Sequence, residues 1–171
     1  MIERRANLDS VTSGALYSRC ERYRYGLWRR WATGPEVLYV MLNPSTATEL
    51  ANDPTIERCQ RRAVALGFGA MRIANLFGWR ATDPRDLRRA SDPVGAENDA
   101  VLRDWAGTAD MVLAAWGVHG AHLDRAQGVA AWLAGDVRHL GLTRDGHPRH
   151  PLYVSYAVTP QPWPLAARYA G

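Results

Sequence analysis

Apolar residues occur along the chain in short runs, some spaced like a strand and others like a helix. Between Arg22 and Trp31, apolar and basic residues alternate, which is typical of a half-exposed strand. The run from Val37 to Leu42 is continuously apolar and ends abruptly on Asn-Pro-Ser-Thr. Since a Thr-Gly-Pro turn lies between the two runs, they predict an antiparallel β-hairpin.

Asp-Pro pairs indicate where helices begin, because Asp is a frequent N-cap and Pro favours the first helical position. Together with the apolar spacing, these pairs predict helices at residues 55–66, 84–89 and 93–105. The apolar spacing alone predicts a further helix at 122–134. Further apolar runs predict strands at 71–77, 109–116 and 137–142, and a last strand or extended edge at 151–158. The prolines after Thr159 predict an irregular tail.

Strands that alternate with helices favour a sheet covered by helices on both faces. The sequence therefore predicts an α/β fold, a three-layer α/β/α arrangement with a mostly parallel central sheet and an N-terminal β-hairpin. A chain of 171 residues fits one domain with a substantial core, so we expect a single domain over residues 1–171.

The composition is that of an ordinary globular protein, and it narrows the compartment and the chemistry. No apolar run approaches the ~18 residues that a membrane helix needs, and the first ten residues are too polar for a signal peptide. The only cysteines, Cys20 and Cys59, are too few for a disulfide framework or a cysteine-based metal cluster. We therefore expect a cytoplasmic protein without a bound metal or cofactor.

All 21 basic residues are arginine, and the chain contains no lysine. A net charge of +4 and a pI near 9.4 favour a polyanionic partner. The absence of lysine also excludes a lysine Schiff base, so the α-amino group of Met1 is the only amine available for that chemistry.

Polar segments follow the ends of several predicted strands. Because the carboxyl ends of parallel strands meet at one edge of a sheet, these segments are expected to converge there. They are Asn43-Pro44-Ser45-Thr46, Asn75-Leu76-Phe77, Trp116-Gly117-Val118-His119 and the later loop Gly146-His147-Pro148-Arg149-His150-Pro151-Leu152. We expect Asn43, Asn75, Trp116 and His147 to line a common cleft.

The order of these segments resembles the uracil-DNA glycosylase superfamily. In that superfamily a strand ends in a short Asn/Asp/Glu-Pro motif, a second ends in a base-reading Asn, a third ends in Trp-Gly or a similar pair, and a His-Pro-rich loop comes last. MLNPST, IANLF, VLAAWG and GHPRHPL look like these motifs, the last with one extra residue. Residues 22–155 are also similar to a bacterial family catalogued as a domain of unknown function, DUF1643.

The glycosylase resemblance implies a uracil-DNA-glycosylase-like fold and a role for each motif. Asn43 would position the attacking water, and His147 or His150 would stabilise the departing base. An Asn cannot act as a general base near neutral pH. Asp53 would either supply that carboxylate or only cap the following helix.

Recognition of the base and of DNA would fall to other residues of the same segments. Asn75 would read the base edge through its amide, and Phe77 or Trp79 would stack on the flipped ring, with Trp116 beside it. Ser45 stands where uracil-specific members carry an aromatic residue, which leaves space for a 5-substituted pyrimidine. The residues expected to contact DNA are Arg149, Leu152, Tyr153, Arg80, Arg85, Arg88 and Arg89.

These features together predict a monofunctional DNA glycosylase that flips out a modified pyrimidine and leaves an abasic site. DNA is the expected partner, with no membrane and no obligate protein partner, and phage DNA with modified bases is a plausible target. Two alternatives remain: a hydrolase or transferase acting on free nucleotides or nucleosides, and a non-catalytic nucleic-acid-binding module.

Overall fold

Eight strands form one mixed sheet in the computed structural model, which describes residues 1–169. The strands lie in the order β1-β2-β3-β5-β4-β6-β7-β8. Their bounds are β1 (Ile2–Leu8), β2 (Val11–Tyr17), β3 (Arg24–Arg30), β4 (Glu36–Met41), β5 (Ala70–Asn75), β6 (Met111–Ala114), β7 (Val137–His139) and β8 (Gln161–Pro162).

The expected mostly parallel, three-layer glycosylase-like fold is wrong. The pairs β1–β2, β2–β3, β3–β5 and β7–β8 are antiparallel, and parallel pairing is confined to β5–β4, β4–β6 and β6–β7. Residues 2–17, which carry little continuous apolar sequence, form two strands that extend the sheet on its antiparallel side. The result is a mostly antiparallel mixed sheet with few helices.

The hairpin predicted between residues 22–31 and 37–42 is also wrong. Strand β5 lies between them, antiparallel to β3 (Leu27 opposite Ile73) and parallel to β4 (Met41 opposite Asn75). Every residue of β5 except Arg72 is buried, so a central position suits it better than an edge. The N-terminal hairpin is instead formed by β1 and β2.

The observed helices agree with the sequence-based predictions better than the observed order of the strands does. They are α1 (Pro54–Ala65), α2 (Pro84–Arg89), α3 (Asn98–Thr108) and α4 (Arg125–Ala130), with short 3-10 helices at Val118–Asp124, Pro151–Tyr153 and Leu165–Ala167. Two of the three predicted N-caps are confirmed, since Asp53 accepts the backbone N–H of Ile56 and Asp83 that of Arg85. No helix within residues 1–169 has the length and apolar character needed to cross a membrane.

Three predicted elements begin late or are absent, for local reasons. Asp92 accepts the N–H of Gly95 (φ +83°) in a turn, so α3 begins only at Asn98. Leu123 and Asp124 adopt left-handed backbone conformations, so α4 begins at Arg125. The strand expected at 151–158 is a 3-10 helix followed by turns, and the last edge strand is β8.

The parallel strands at the centre of the sheet are buried on both faces. Alternate residues of β4 enter two separate apolar clusters, one packed against α1 and the other against α3 and α4. In the first cluster Tyr39 packs with residues of α1 and donates its hydroxyl to the Cys59 carbonyl (3.0 Å). This double burial fixes the positions of the strand ends at which the candidate site lies.

Candidate functional site

A cavity of about 610 Å³ opens at the carboxyl ends of β4, β5 and β6. These strands are adjacent and parallel, so the residues that end or follow them meet at this edge. Asn43, Asn75 and Trp116 all line the cavity, whereas His147 does not. The structure thus brings together three of the four side chains expected in a common cleft.

Asn75 is a buried side chain of the cavity wall with a hydrogen-bond donor that the described residues leave unused. It ends β5, is only 1% exposed, and its Nδ2 has no hydrogen-bond partner among residues 1–169. Its backbone carbonyl is already held by the Asn98 side chain (2.9 Å). A buried amide donor without a partner is costly in a folded protein, so a ligand that accepts this hydrogen bond is favoured.

The Asn43 side chain differs from that of Asn75, because its amide nitrogen already donates to protein carbonyls. Its Nδ2 lies 3.1 Å from the carbonyl oxygen of Pro44, 3.4 Å from that of Trp79 and 2.8 Å from that of Ala81. Three carbonyl acceptors determine which amide atom is the nitrogen. Oδ1 is therefore the atom left to accept a hydrogen bond from a water or ligand in the cavity.

Asp53 lines the same cavity and also caps α1. Its Oδ1 accepts from the backbone N–H of Ile56 (2.9 Å), and its Oδ2 from that of Ala47 (3.3 Å). The carboxylate therefore holds the segment between Asn43 and α1 in place. The helix-cap role is confirmed, and the role as a general base stays a prediction.

His150, not His147, is the imidazole of the cavity. The His147 Nδ1 is instead 3.0 Å from the Tyr169 hydroxyl. The His150 Nδ1 accepts the backbone N–H of Leu152 (3.3 Å), so the neutral ring carries its proton on Nε2. Burial lowers the pKa of His150, and Asp53 partly opposes the shift, so this neutral form is favoured.

The loop that carries His150 is anchored on α1 by arginines that the sequence analysis did not single out. Arg58 donates to the carbonyl of Val154 (2.7 Å), and Arg62 donates to those of Val154 (3.1 Å) and Ser155 (3.0 Å). Nothing in the local sequence of α1 indicates these distant partners.

Several of the expected DNA contacts lie at the rim of the cavity. Arg149, Leu152 and Tyr153 line it, and the Tyr153 ring is 80% exposed. Ser45 also lines the cavity, with its hydroxyl 3.5 Å from that of Thr82. Its position at the rim places the Tyr153 ring where a partner bound at the cavity would contact it.

Other predicted site residues lie elsewhere. Phe77 is fully buried in the core next to His122, so it offers no face on which a base can stack. Trp79 packs against Tyr23 and does not line the cavity. The indole of Trp116 donates to the Tyr169 hydroxyl (2.9 Å), so it is part of the wall and its nitrogen is already occupied.

Most of the arginines between residues 80 and 89 contact acceptors of the protein itself. Arg80 donates to the Glu21 carbonyl (3.2 Å). Arg85 pairs with Asp83 (2.6 Å) and Arg89 with Asp86 (3.8 Å). Arg88 lies 3.4 Å from the ring of His119, a cavity residue, and is the member of this group with a connection to the site.

Comparisons with known proteins identify a family but no activity. No curated protein and no solved structure matches the chain. A family model described as "Protein of unknown function (DUF1643)" matches residues 24–152, a span that runs from the start of β3 to the rim of the cavity. Since this span is most of the sequence, the chain belongs to the DUF1643 family.

Proposed function

We propose that the protein is a monofunctional DNA glycosylase that excises a modified pyrimidine base by hydrolysis. The observation that carries the proposal is the buried Asn75 amide, whose donor has no partner within residues 1–169, in the wall of a cavity. A pyrimidine carbonyl is an acceptor of the right kind for this donor. The order of Asn43, Asn75, Trp116 and His150 along the chain resembles the order of the motif residues in the uracil-DNA glycosylase superfamily, although the fold differs.

The proposed reaction uses three of the polar side chains that line the cavity. Asn43 Oδ1 accepts a hydrogen bond from the water that attacks the anomeric carbon. The water oxygen bonds to the anomeric carbon as the N-glycosidic bond breaks, and the electron pair of that bond goes to the departing base. The proton that the water loses is finally taken up by the base anion. Neutral His150 donates from Nε2 to the base oxygen on which negative charge develops, and Asn75 fixes the base edge.

The rim of the cavity supports a substrate that is part of a nucleic acid. An extruded nucleotide leaves a gap in the stack, and Tyr153 or Leu152 is placed to fill it. Arg149 on the same loop is exposed and suited to a phosphate. Phage DNA that carries modified pyrimidines is the kind of substrate we propose.

Base release from a panel of modified DNAs, followed by mass spectrometry, tests the function. We expect wild-type protein to release one modified pyrimidine and the Asn43→Ala variant to release none above background. Chelation of divalent ions should leave the rate unchanged. Release at the same rate by Asn43→Ala would remove the water-positioning role, and no release from any DNA would favour a non-catalytic module.

The DNA strand is expected to remain intact after base release. Cutting it through an imine needs an amine, lysine is absent from the chain, and an arginine guanidinium stays protonated. Scission should therefore appear only after hot alkali, and borohydride should trap no protein–DNA adduct. A trapped adduct would point to the Met1 amino group and overturn the water-attack mechanism.

Substrate size is expected to depend on Ser45. Replacing it with tyrosine places a ring in the cavity wall, so Ser45→Tyr should reduce release of bulky 5-substituted pyrimidines about ten-fold more than that of unsubstituted ones. The rates are compared on paired oligonucleotides under single-turnover conditions, with Thr46→Tyr, at the exposed neighbouring position, as the control. Equal losses on both substrates would remove Ser45 as a determinant of size.

A second candidate function is hydrolysis of a free nucleoside, and the occupied arginines favour it. Arg80, Arg85 and Arg89 are engaged by acceptors of the protein itself, which leaves fewer cations for a DNA backbone. Duplex binding measured between 50 and 200 mM salt separates the two functions. A steep salt dependence supports the glycosylase, and the absence of binding with activity on nucleosides supports the second candidate.

A further inference from the structure

Arg24 is a buried cation in the wall of the cavity. It is 2% exposed, and no carboxylate among residues 1–169 forms an ion pair with it. Burial lowers the pKa of its guanidinium to about 10, so the group still carries its charge at neutral pH. A buried charge without a direct ion pair is unfavourable, and a ligand carboxylate that pairs with it would lower that cost.

The sheet is irregular at the point that places this side chain. Leu16 pairs with Gly26, but the next residue, Tyr17, pairs with Arg24, so one residue of β3 is extra. Such a bulge turns the following side chains to the other face of the sheet. Gly26 faces Trp105 of α3, whereas Arg24 reaches the Ala47 carbonyl on the α1 side, where the cavity lies.

Only part of the guanidinium is occupied by the protein. Nη1 donates to the Ala47 carbonyl, which holds the segment after Asn43 in place. Nε has no partner within the described part of the chain, and Nη2 donates to none of these residues. Nε and the terminal nitrogen on its side form the planar pair of donors that matches a carboxylate in two parallel hydrogen bonds.

We propose that the base bound in this cavity carries a planar anionic substituent of the carboxylate kind, and that Arg24 recognises it. This inference rests on the proposed glycosylase function and names its substrate class. The cavity supports it by size, because about 610 Å³ is typical of sites for ligands much larger than a bare pyrimidine ring. Asp53, on the same cavity wall, favours the charged form of Arg24 electrostatically but forms no hydrogen-bonded pair with it, because its oxygens accept from backbone N–H groups.

The geometry also gives the direction of the substituent. Asn75 ends β5, which lies between β3 with Arg24 and β4 with Asn43. Neighbouring strands are about 4.8 Å apart, so a ring held by Asn75 spans roughly one strand spacing. The substituent then extends from the ring edge toward β3, and the sugar lies toward Asn43.

Binding of free bases tests the inference without any reaction. The probes are 5-carboxyuracil and 6-carboxyuracil, each compared with the matching methyluracil by NMR titration of the protein. We expect at least one carboxyl compound to bind about ten- to a hundred-fold more tightly than its methyl counterpart, as for a charge-assisted pair in a buried site. Equal affinities within both pairs would overturn the proposal whatever the behaviour of any variant.

Two arginine variants assign the preference to a residue. Arg24→Lys keeps a positive charge but loses the planar pair of donors, so the preference should fall to less than about three-fold. Arg29→Lys is the control, because Arg29 is equally buried on β3 but donates to Asn52 (3.1 Å) and the Thr48 carbonyl (2.6 Å) and does not line the cavity. The preference of Arg29→Lys for the carboxyl base over the methyl base should match that of wild type. An unchanged preference in Arg24→Lys would overturn the assignment to Arg24.

The outcome for the inference is separable from that for the proposed function. Tight binding of a carboxyl base together with no base release from any DNA would retain the Arg24 site and reject the glycosylase. Base release from DNA, together with equal binding of carboxyl and methyl free bases, would retain the glycosylase and reject the Arg24 site. Crystals of the complex should then place the carboxylate beside Arg24 Nε, and a carboxylate at the rim beside Arg149 instead would contradict the proposal.

Discussion

Replacing Asn75 with leucine is expected to reduce base release by at least about a hundred-fold while leaving the protein as stable as the wild type. Leucine has a similar branched shape but no polar atom. Loss of one donor aimed at developing charge or at a buried acceptor costs about 10²–10³ in rate in enzymes of comparable design. The Asn75 Nδ2 has no partner within residues 1–169, so its removal breaks no hydrogen bond of the folded chain.

The expected stability of Asn75→Leu separates a ligand-binding amide from a structural one. A buried polar group without a partner can be replaced by an apolar group of the same shape at little cost, or with a gain. Thermal unfolding should therefore show a Tm equal to or above that of the wild type. A marked fall in Tm, with activity retained at low temperature, would mean that the amide serves the fold.

Asn98 is the matched control, because it is a second buried asparagine next to the first. Its Nδ2 donates to the carbonyls of Asn75 (2.9 Å) and Leu76 (3.3 Å). Asn98→Leu leaves both carbonyls without that donor and should lower the free energy of unfolding by about 1–3 kcal/mol. We therefore expect opposite signatures: Asn75→Leu loses activity with stability retained, and Asn98→Leu loses stability.

The parts of the site that were predictable are those set by local sequence. The apolar run before Asn43 and the Asp-Pro pair at Asp53 specify a buried strand and a capped helix without reference to the rest of the chain. Parallel pairing of β4 with β5 and β6 then brings Asn43, Asn75 and Trp116 to one edge. For these residues the strand-end argument holds although the mostly parallel fold on which it was based is wrong.

The parts that were not predictable depend on long-range pairing. Nothing local in residues 22–42 indicates that β5 enters between β3 and β4, because the turn between two strands does not determine their neighbours in the sheet. The bulge that turns Arg24 toward the cavity is likewise a property of the paired strands. Arg24 was missed because an arginine in an alternating strand resembles the exposed arginines around it.

The choice between the two histidines of the loop was also set by tertiary contacts. The segment between them and β7 folds back on itself, with Leu142 paired to Pro148 and Thr143 bonded to the His147 backbone (3.1 Å). This turn directs His147 to Tyr169 and leaves His150 at the cavity. The extra residue in the motif made both assignments possible from sequence, and only the turn distinguishes them.

The two histidines are expected to differ sharply when they are replaced. His150→Ala should lower the rate of base release by about 10²–10³, because a donor to the departing base is lost. His147→Ala should lower it by less than about five-fold, since its ring is bonded to Tyr169 and does not line the cavity. Single-turnover rates at saturating protein give the comparison, and the reverse order would return the catalytic role to His147.

The pH dependence of the same variants shows which form of His150 acts. Burial lowers the pKa of His150 below its ordinary value of 6.5, so the unfolded chain takes up this proton before the folded protein does. The stability contributed by the neutral ring is complete above pH 6.5 and is lost as the pH falls below that value. Urea unfolding should therefore show a steeper loss of stability below pH 6.5 in wild type than in His150→Gln. Burial also lowers the pKa of His139, but this residue is present in both proteins, so its contribution cancels when the two are compared.

The rate of base release should follow the same proton. Protonation of His150 places a hydrogen on Nδ1, where the ring now accepts the Leu152 N–H, so the imidazolium loses the contact that orients it. The single-turnover rate of wild type should fall as the pH drops through the lowered pKa, while that of His150→Gln should be low and flat. A wild-type rate that rises on acidification over the same range would mean that the imidazolium is the active form, and the neutral-donor mechanism would have to be replaced by general acid catalysis.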